Sequence, residues 1–239
     1  MELDVIYNED CLEGMKKYLS DQSVNCIVTS PPYNLGGDFH TMSNGKRVTY
    51  GDYKGFKDKM NEEYYQQWQV EVLNECYRVL KDDGFMFYNH KNRIVKGSII
   101  SPWEWIPKSK FNISQVIIMN LGGTPNTDKR RFFPVHELIF VLNKKPMLKL
   151  RNEEKLTDVW KVSKVSRRKS GHPAVFHEEV PRRCIEASTD EGDIVFDPFG
   201  GRGTTLWTAK KMKRRCIGFE ISEEYHKLIE NNLKTVESL

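Results

Sequence analysis

Short apolar runs alternate along this chain with stretches whose apolar residues recur every three or four positions. Runs at 3–8, 24–29, 85–88, 113–121, 136–142, 194–197 and 216–220 read as seven strands. The clearest helix covers 62–80, where Tyr65, Trp68, Val72, Cys76 and Leu80 fall on one face before Lys81-Asp82-Asp83-Gly84 stops it. Further helices are predicted at 12–19, from Pro181 to about Thr189, over 206–212, and after Ser222, with Tyr225, Leu228, Ile229 and Leu233 inward. Strands that alternate with helices imply an α/β fold with a mostly parallel, doubly wound sheet. The exception is the pair 113–121 and 136–142, which has no helix between its members and is expected to run antiparallel at one edge.

Two stretches break the alternation. Residues 34–61 carry Gly36, Gly37, Gly45, Gly51 and Gly55 with little periodicity, and a loop that long is expected to be functional. Residues 143–170 are basic and weakly periodic. A chain of 239 residues with 38% hydrophobic positions suits a single domain over 1–239. No apolar run is long enough to span a membrane, and no signal peptide is visible, so a cytoplasmic protein is expected. The five cysteines form no Cys-x-x-Cys pair and read as reduced, buried thiols, with no metal site expected. A net charge of +4 permits nucleic-acid binding without demanding it.

The chemistry concentrates in Asp197-Pro198-Phe199-Gly200-Gly201-Arg202-Gly203-Thr204-Thr205. A strand leads into this glycine-rich turn and a helix leaves it, a geometry that lets backbone N–H groups approach a ligand closely. Glu220 closes the next strand, where a carboxylate can accept hydrogen bonds from ribose hydroxyls. NAD and S-adenosylmethionine both satisfy that geometry. Asp197 at the turn's entry would repel a pyrophosphate and suit a cationic amino-acid tail, which favours S-adenosylmethionine.

The second stretch is Ser30-Pro31-Pro32-Tyr33, at the end of the 24–29 run. With Phe199-Gly200-Gly201-Arg202-Gly203, it makes the chain resemble the amino-directed DNA methyltransferases, over nearly its whole length. Their hallmark tetrapeptide is Asp/Asn/Ser-Pro-Pro-Tyr/Phe/Trp, and their cofactor motif is Phe-x-Gly-x-Gly. The order of the motifs, with His136-Glu137 and His172-Pro173-Ala174 between them, is similar to the β class. The resemblance implies a circularly permuted, seven-stranded methyltransferase sheet in which the 194–197 strand lies beside 24–29 and strand 3–8 lies outside the Glu220 strand. It implies S-adenosylmethionine as methyl donor and duplex DNA as substrate, with cytosine N4 the target for a Ser-Pro-Pro-Tyr enzyme and adenine N6 the alternative.

By the same resemblance, Ser30 and the Pro31 carbonyl orient the target amine, the two prolines stiffen the loop, and Tyr33 stacks on the flipped base. The cofactor would meet Asp10, Cys11, His172, Pro173, Asp197, Phe199, Gly200, Gly201, Gly203, Thr204, Thr205 and Glu220. Asp10 reads equally well as the N-cap of the helix that follows it. DNA contacts would come from Lys129, Arg130, Arg131, Arg167, Arg168 and Lys169, with 143–170 as the target-recognition insert; a solvated charged face explains such runs equally well. The resemblance also admits a homodimer, a separate cognate restriction endonuclease, and a nucleoid-associated setting in a prokaryote or phage.

Overall fold

Eight strands share one sheet in the computed structural model: β1 Val5–Tyr7, β2 Val24–Thr29, β3 Leu80–His90, β4 Asn112–Asn120, β5 His136–Asn143, β6 Val159–Lys161, β7 Ile194–Asp197 and β8 Arg215–Phe219. The structure describes residues 1–35, 39–43, 46–50, 52–53, 56–123, 130–162 and 177–236. The spatial order is β1-β8-β7-β2-β3-β5-β4-β6. Strands β1, β8, β7, β2 and β3 run parallel, and β5 is antiparallel to both of its neighbours, β3 and β4. The mostly parallel α/β sheet is therefore as expected, with one strand more than the seven read from the sequence. The addition, β6, has only three residues and pairs parallel with the outer side of β4. Its single buried side chain, Trp160, leaves too short a pattern to register as a strand.

Helices cover both faces. Helix α1 Cys11–Tyr18 and helix α2 Glu62–Val79 pack on one side. Helices α3 Glu179–Ser188, α4 Thr204–Lys211 and α5 Glu223–Val236 pack on the other. Alternation along each central strand decides which core a side chain joins. Ile27, Met86, Tyr88 and Phe196 meet Met15, Tyr65, Val72 and Cys76. Cys26, Val28, Phe85, Phe87 and Val195 meet Val180, Ile185, Leu206 and Leu233. All five cysteines are free and buried in these layers.

The connection through α2 carries the chain from β2 to one side, and the connection through α4 carries it from β7 to the other. The strand order therefore reverses between β2 and β7, which pair directly through Val195↔Cys26 and Phe196↔Ile27. Crevices at the carboxyl ends of strands open at such a point. The 34–61 stretch contains antiparallel pairs, Phe39–Ser43 with Lys46–Tyr50 and Asp52–Tyr53 with Phe56–Lys57. None of the helices is long and apolar enough to cross a membrane among the described residues.

Candidate active site

The glycine turn leaves β7 at the switch point. Gly201 and Gly203 take positive φ, 54° and 81°, a region that side-chain-bearing residues enter at a cost. The two differ in what a side chain would meet. A Cβ on Gly203 would come within 2.9 Å of Ile229, so that glycine serves close packing of the turn on α5. A Cβ on Gly201 would project into open space, with only the Phe199 carbonyl 3.8 Å away. The open side of the turn is therefore at Gly201, as a ligand cradle requires. Gly200 packs against Ile6, Ile229 and the Phe219 carbonyl.

Glu220 faces this turn. Its carboxylate accepts from the Gly201 N–H at 2.8 Å and the Ser222 N–H at 2.8 Å. Burial raises its pKa against those two hydrogen bonds. Asp197 lies deeper, accepting from Thr29 Oγ1 at 2.7 Å and the Phe199 N–H at 3.1 Å. Burial pushes its carboxyl up to about 7. Asp197 thus ties β7 to β2 rather than lining an open surface. Thr205 also turns inward, donating to the Val28 carbonyl at 3.3 Å, and Thr204 is buried beside it. Asp197 and Thr205 tie this wall of the cleft to β2. Phe199 is half-buried and meets Trp68 of α2 edge-on at 5.6 Å.

Strand β1 ends beside Glu220, whose N–H donates to the Tyr7 carbonyl at 3.0 Å. Asp10 follows and caps α1, accepting from the Leu12 N–H at 2.9 Å and the Glu13 N–H at 3.3 Å. Of its two readings, the capping one is therefore present in the fold. Cys11 is buried at the first position of α1, and burial pushes its thiol well up. His172 and Pro173 lie outside the described residues.

The tetrapeptide leaves β2 one strand away. Tyr65 of α2 donates to the Pro32 carbonyl at 2.7 Å. His90 Nδ1 lies 2.9 Å from the Lys91 amide nitrogen and 2.8 Å from the Lys91 carbonyl oxygen. Because the Tyr65 hydroxyl gives its one proton to the Pro32 carbonyl, His90 Nε2 is the donor in its 2.8 Å contact with Tyr65 Oη, completing a His90–Tyr65–Pro32 chain behind the prolines. Full burial depresses the pKa of His90 to about 3, so the ring stays neutral. Beyond the tetrapeptide, Asp58 fastens the loop by accepting from the N–H groups of Asn34 at 2.6 Å and Leu35 at 3.1 Å.

Tyr33 departs from expectation. Its ring is only 8% exposed and packs on His90 at 4.5 Å, with Lys91 Nζ 5.1 Å from the ring centre. Among the described residues, His90 and Lys91 cover this ring, where an open face was expected for base stacking. The hydroxyl explains why. It is drawn into a partly buried polar group, within 2.8 Å of Ser30 Oγ, 3.2 Å of Glu137 Oε2 and 2.6 Å of Asn89 Nδ2. Asn89 also donates to Glu137 Oε2 at 3.0 Å. Asn89, Tyr65, His90 and Asp58 carried no motif in the sequence; each is brought in by β3, α2 or the return from the long loop.

The segment joining β4 to β5 approaches the same end of the sheet, since β5 begins at His136 next to Glu137. Arg130 and the wholly exposed Phe132 lie in it, with Arg131 half-buried and Phe133 exposed. Lys129, Arg167, Arg168 and Lys169 lie outside the described residues. Among the described residues, no group of His, Cys, Asp and Glu side chains is arranged to hold a metal ion.

Comparison with known proteins gives one consistent result. Residues 24–231 match the N6/N4 methyltransferase family described as DNA methylase. The chain is 31% identical over 248 residues to the type II methyltransferase M.HpaI of Haemophilus parainfluenzae, covering 93% of this chain and 73% of that one. It is 26% identical to the DNA adenine methyltransferase YhdJ of Escherichia coli K12, covering 95% and 81%. Its fold matches the cytosine-N4-specific PvuII DNA methyltransferase with a TM-score of 0.75 at 19% identity, over 98% of this chain and 89% of that one. It matches the M1.HpyAVI complex with S-adenosylmethionine with a TM-score of 0.66 at 20% identity, over 96% and 98%.

Proposed function

The chain belongs to the N6/N4 DNA methylase family, and from that premise we propose that it moves a methyl group from S-adenosylmethionine to the exocyclic N4 of a cytosine flipped out of duplex DNA. The observation that carries this is the pairing of β7 with β2. It sets the glycine turn and Ser30-Pro31-Pro32-Tyr33 side by side at the carboxyl edge of the sheet, donor site next to acceptor site.

The residues at the turn fit the methyl donor. Gly201 leaves room for a close approach, Glu220, bonded to the Gly201 N–H, would accept from the ribose hydroxyls, and Asp10 and Cys11 beyond the end of β1 would meet the adenine. Bound there, S-adenosylmethionine would supply a sulfonium methyl, which is electrophilic without any help from the protein.

The acceptor amine needs more assistance, because its lone pair is delocalised into the base. Ser30 Oγ and the Pro31 carbonyl accept its two hydrogens, which favours a tetrahedral nitrogen with its lone pair directed at the methyl group. The His90–Tyr65–Pro32 chain holds the backbone that carries these acceptors. Serine in place of aspartate in the tetrapeptide favours cytosine. The likeness to the PvuII enzyme supports that choice, and the likeness to YhdJ keeps adenine N6 as the alternative. Arg130 and Arg131, on the segment leading to Glu137, would meet the phosphate backbone at the mouth of the cleft.

The test is nucleoside analysis of duplex DNA after incubation with enzyme and S-adenosylmethionine. N4-methylcytosine is expected. N6-methyladenine as the sole product would replace the base but leave the amine chemistry intact, and 5-methylcytosine would overturn it, since none of the described residues of the cleft activates a ring carbon.

A further inference from the structure

We propose that Glu137 receives the proton the target amine loses, through a hydrogen-bonded chain that runs from Ser30 Oγ to Tyr33 Oη to the Glu137 carboxylate. This deepens the methyltransferase reading and holds for either amine, cytosine N4 or adenine N6. The direction of the chain follows from counting protons. A carboxylate only accepts, so Tyr33 Oη, 3.2 Å away, gives its one proton to Glu137 Oε2. Tyr33 Oη then has none for Ser30, and the 2.8 Å contact between the hydroxyls is made by the Ser30 proton. The second lone pair of Tyr33 Oη is filled by Asn89 Nδ2 at 2.6 Å. One lone pair of Ser30 Oγ faces Asn89 Nδ2 at 3.4 Å, and the other is left for the amine, the role in which the tetrapeptide needs it.

The step balances. As nitrogen bonds to the methyl carbon, the carbon–sulfur bond breaks with its electron pair going to sulfur, and the sulfonium charge disappears. The methylated nitrogen, now positive, loses a proton to Ser30 Oγ. Ser30 passes its own proton to Tyr33, and Tyr33 passes its own to Glu137. The carboxylate becomes a neutral acid, and the hydroxyls end as they began.

The surroundings suit this, and no competing base is seen among the described residues that touch the chain. Lys91 stands over the Tyr33 ring, and His90 packs against that ring but is held neutral by burial. His136 is next along β5, and the cross-strand partner of Glu137 on β4 is Met119. Glu137 acts through Tyr33 and touches no substrate, so its loss should slow the chemical step without weakening binding.

The experiment is single-turnover methylation of a duplex by wild type, Glu137→Gln, Tyr33→Phe and the double variant across pH, with calorimetric affinities for S-adenosylmethionine and DNA. Both single variants keep their side-chain shapes. The expected result is a loss of more than tenfold in each, unchanged affinities, a double variant no slower than the slower single one, and disappearance in Glu137→Gln of the acid limb seen in wild type. Glu137→Asp should restore part of the rate. Wild-type rates in either variant, multiplying losses, or an acid limb that survives in Glu137→Gln would overturn the relay. Should Glu137→Gln fail to fold, Tyr33→Phe decides alone: an unchanged rate overturns the relay. An inactive wild type would sink the methyltransferase reading instead, so the two failures are distinct.

Discussion

Single atoms decide much of this site. Gly201 and Gly203 share a turn and a positive φ, yet only the first has open space beyond its α-carbon. Gly201→Val should therefore abolish S-adenosylmethionine binding in a protein that still folds; calorimetry with unchanged affinity would place the cofactor elsewhere. Ser30→Ala should cut turnover more than tenfold while leaving cofactor affinity nearly intact, because the hydroxyl acts on the amine in the transition state. An equal loss in the affinity for S-adenosylmethionine would show that Ser30 shapes the pocket rather than the reaction. Tyr65→Phe removes the hydrogen that reaches the Pro32 carbonyl. It should lower stability by about 1 kcal/mol, the ordinary worth of one hydrogen bond. It should also lower kcat more than it raises KM, since the loosened loop carries both amine acceptors.

Among the elements, β3 matters most to the acceptor side. It runs beyond the expected Phe85–Tyr88 stretch to His90, and those two additional residues, Asn89 and His90, contact the tetrapeptide from behind. The segment between β4 and β5 does the corresponding work towards DNA. Changing Arg130 and Arg131 to Ala should weaken duplex binding and reduce the slope of log affinity against log salt by about one to two. A slope equal to that of wild type would leave these arginines as a solvated face. The Arg167-Arg168-Lys169 run belongs to the same proposal and can be tested in the same titration.

For the whole molecule, two buried titratable groups oppose each other. His90 titrates near 6.5 in an unfolded chain and near 3 in the fold. Between those values the unfolded chain takes up a proton that the fold refuses, so this contribution to stability is lost as pH falls. It amounts to roughly 3 kcal/mol between pH 6.5 and 4. Asp197 has the opposite sign. Burial raises its pKa to about 7, so the fold keeps a proton that the unfolded chain has released, and stability falls as pH rises from about 4 to 7. Wild type should show a shallow profile in that window. His90→Gln should show melting temperatures that decrease from pH 4 to 7, and a profile parallel to that of wild type would refute the assignment of His90.

Local pattern was enough for the strands and helices that meet the sheet with one apolar side, and for the glycine turn and the Ser-Pro-Pro-Tyr loop, because those properties reside in neighbouring residues. Periodicity of two or of 3.6 is written into each segment separately, and the constraint a proline or glycine places on the backbone is its own. Three things were not legible. The strand β6 is too short to show a pattern and exists because β4 offers it an unpaired edge. The inward turn of Asp197 and Thr205 depends on β2 lying beside β7, a pairing across 168 residues between Thr29 and Asp197. The Ser30–Tyr33–Glu137 chain joins groups more than a hundred positions apart, with Asn89 from a third strand filling the remaining lone pair. Tyr33 reads as an open stacking face so long as only its neighbours are considered. Once β3 and β5 place an amide and a carboxylate at its hydroxyl, satisfying buried polar groups outweighs leaving the ring open, and no local signal carries that balance.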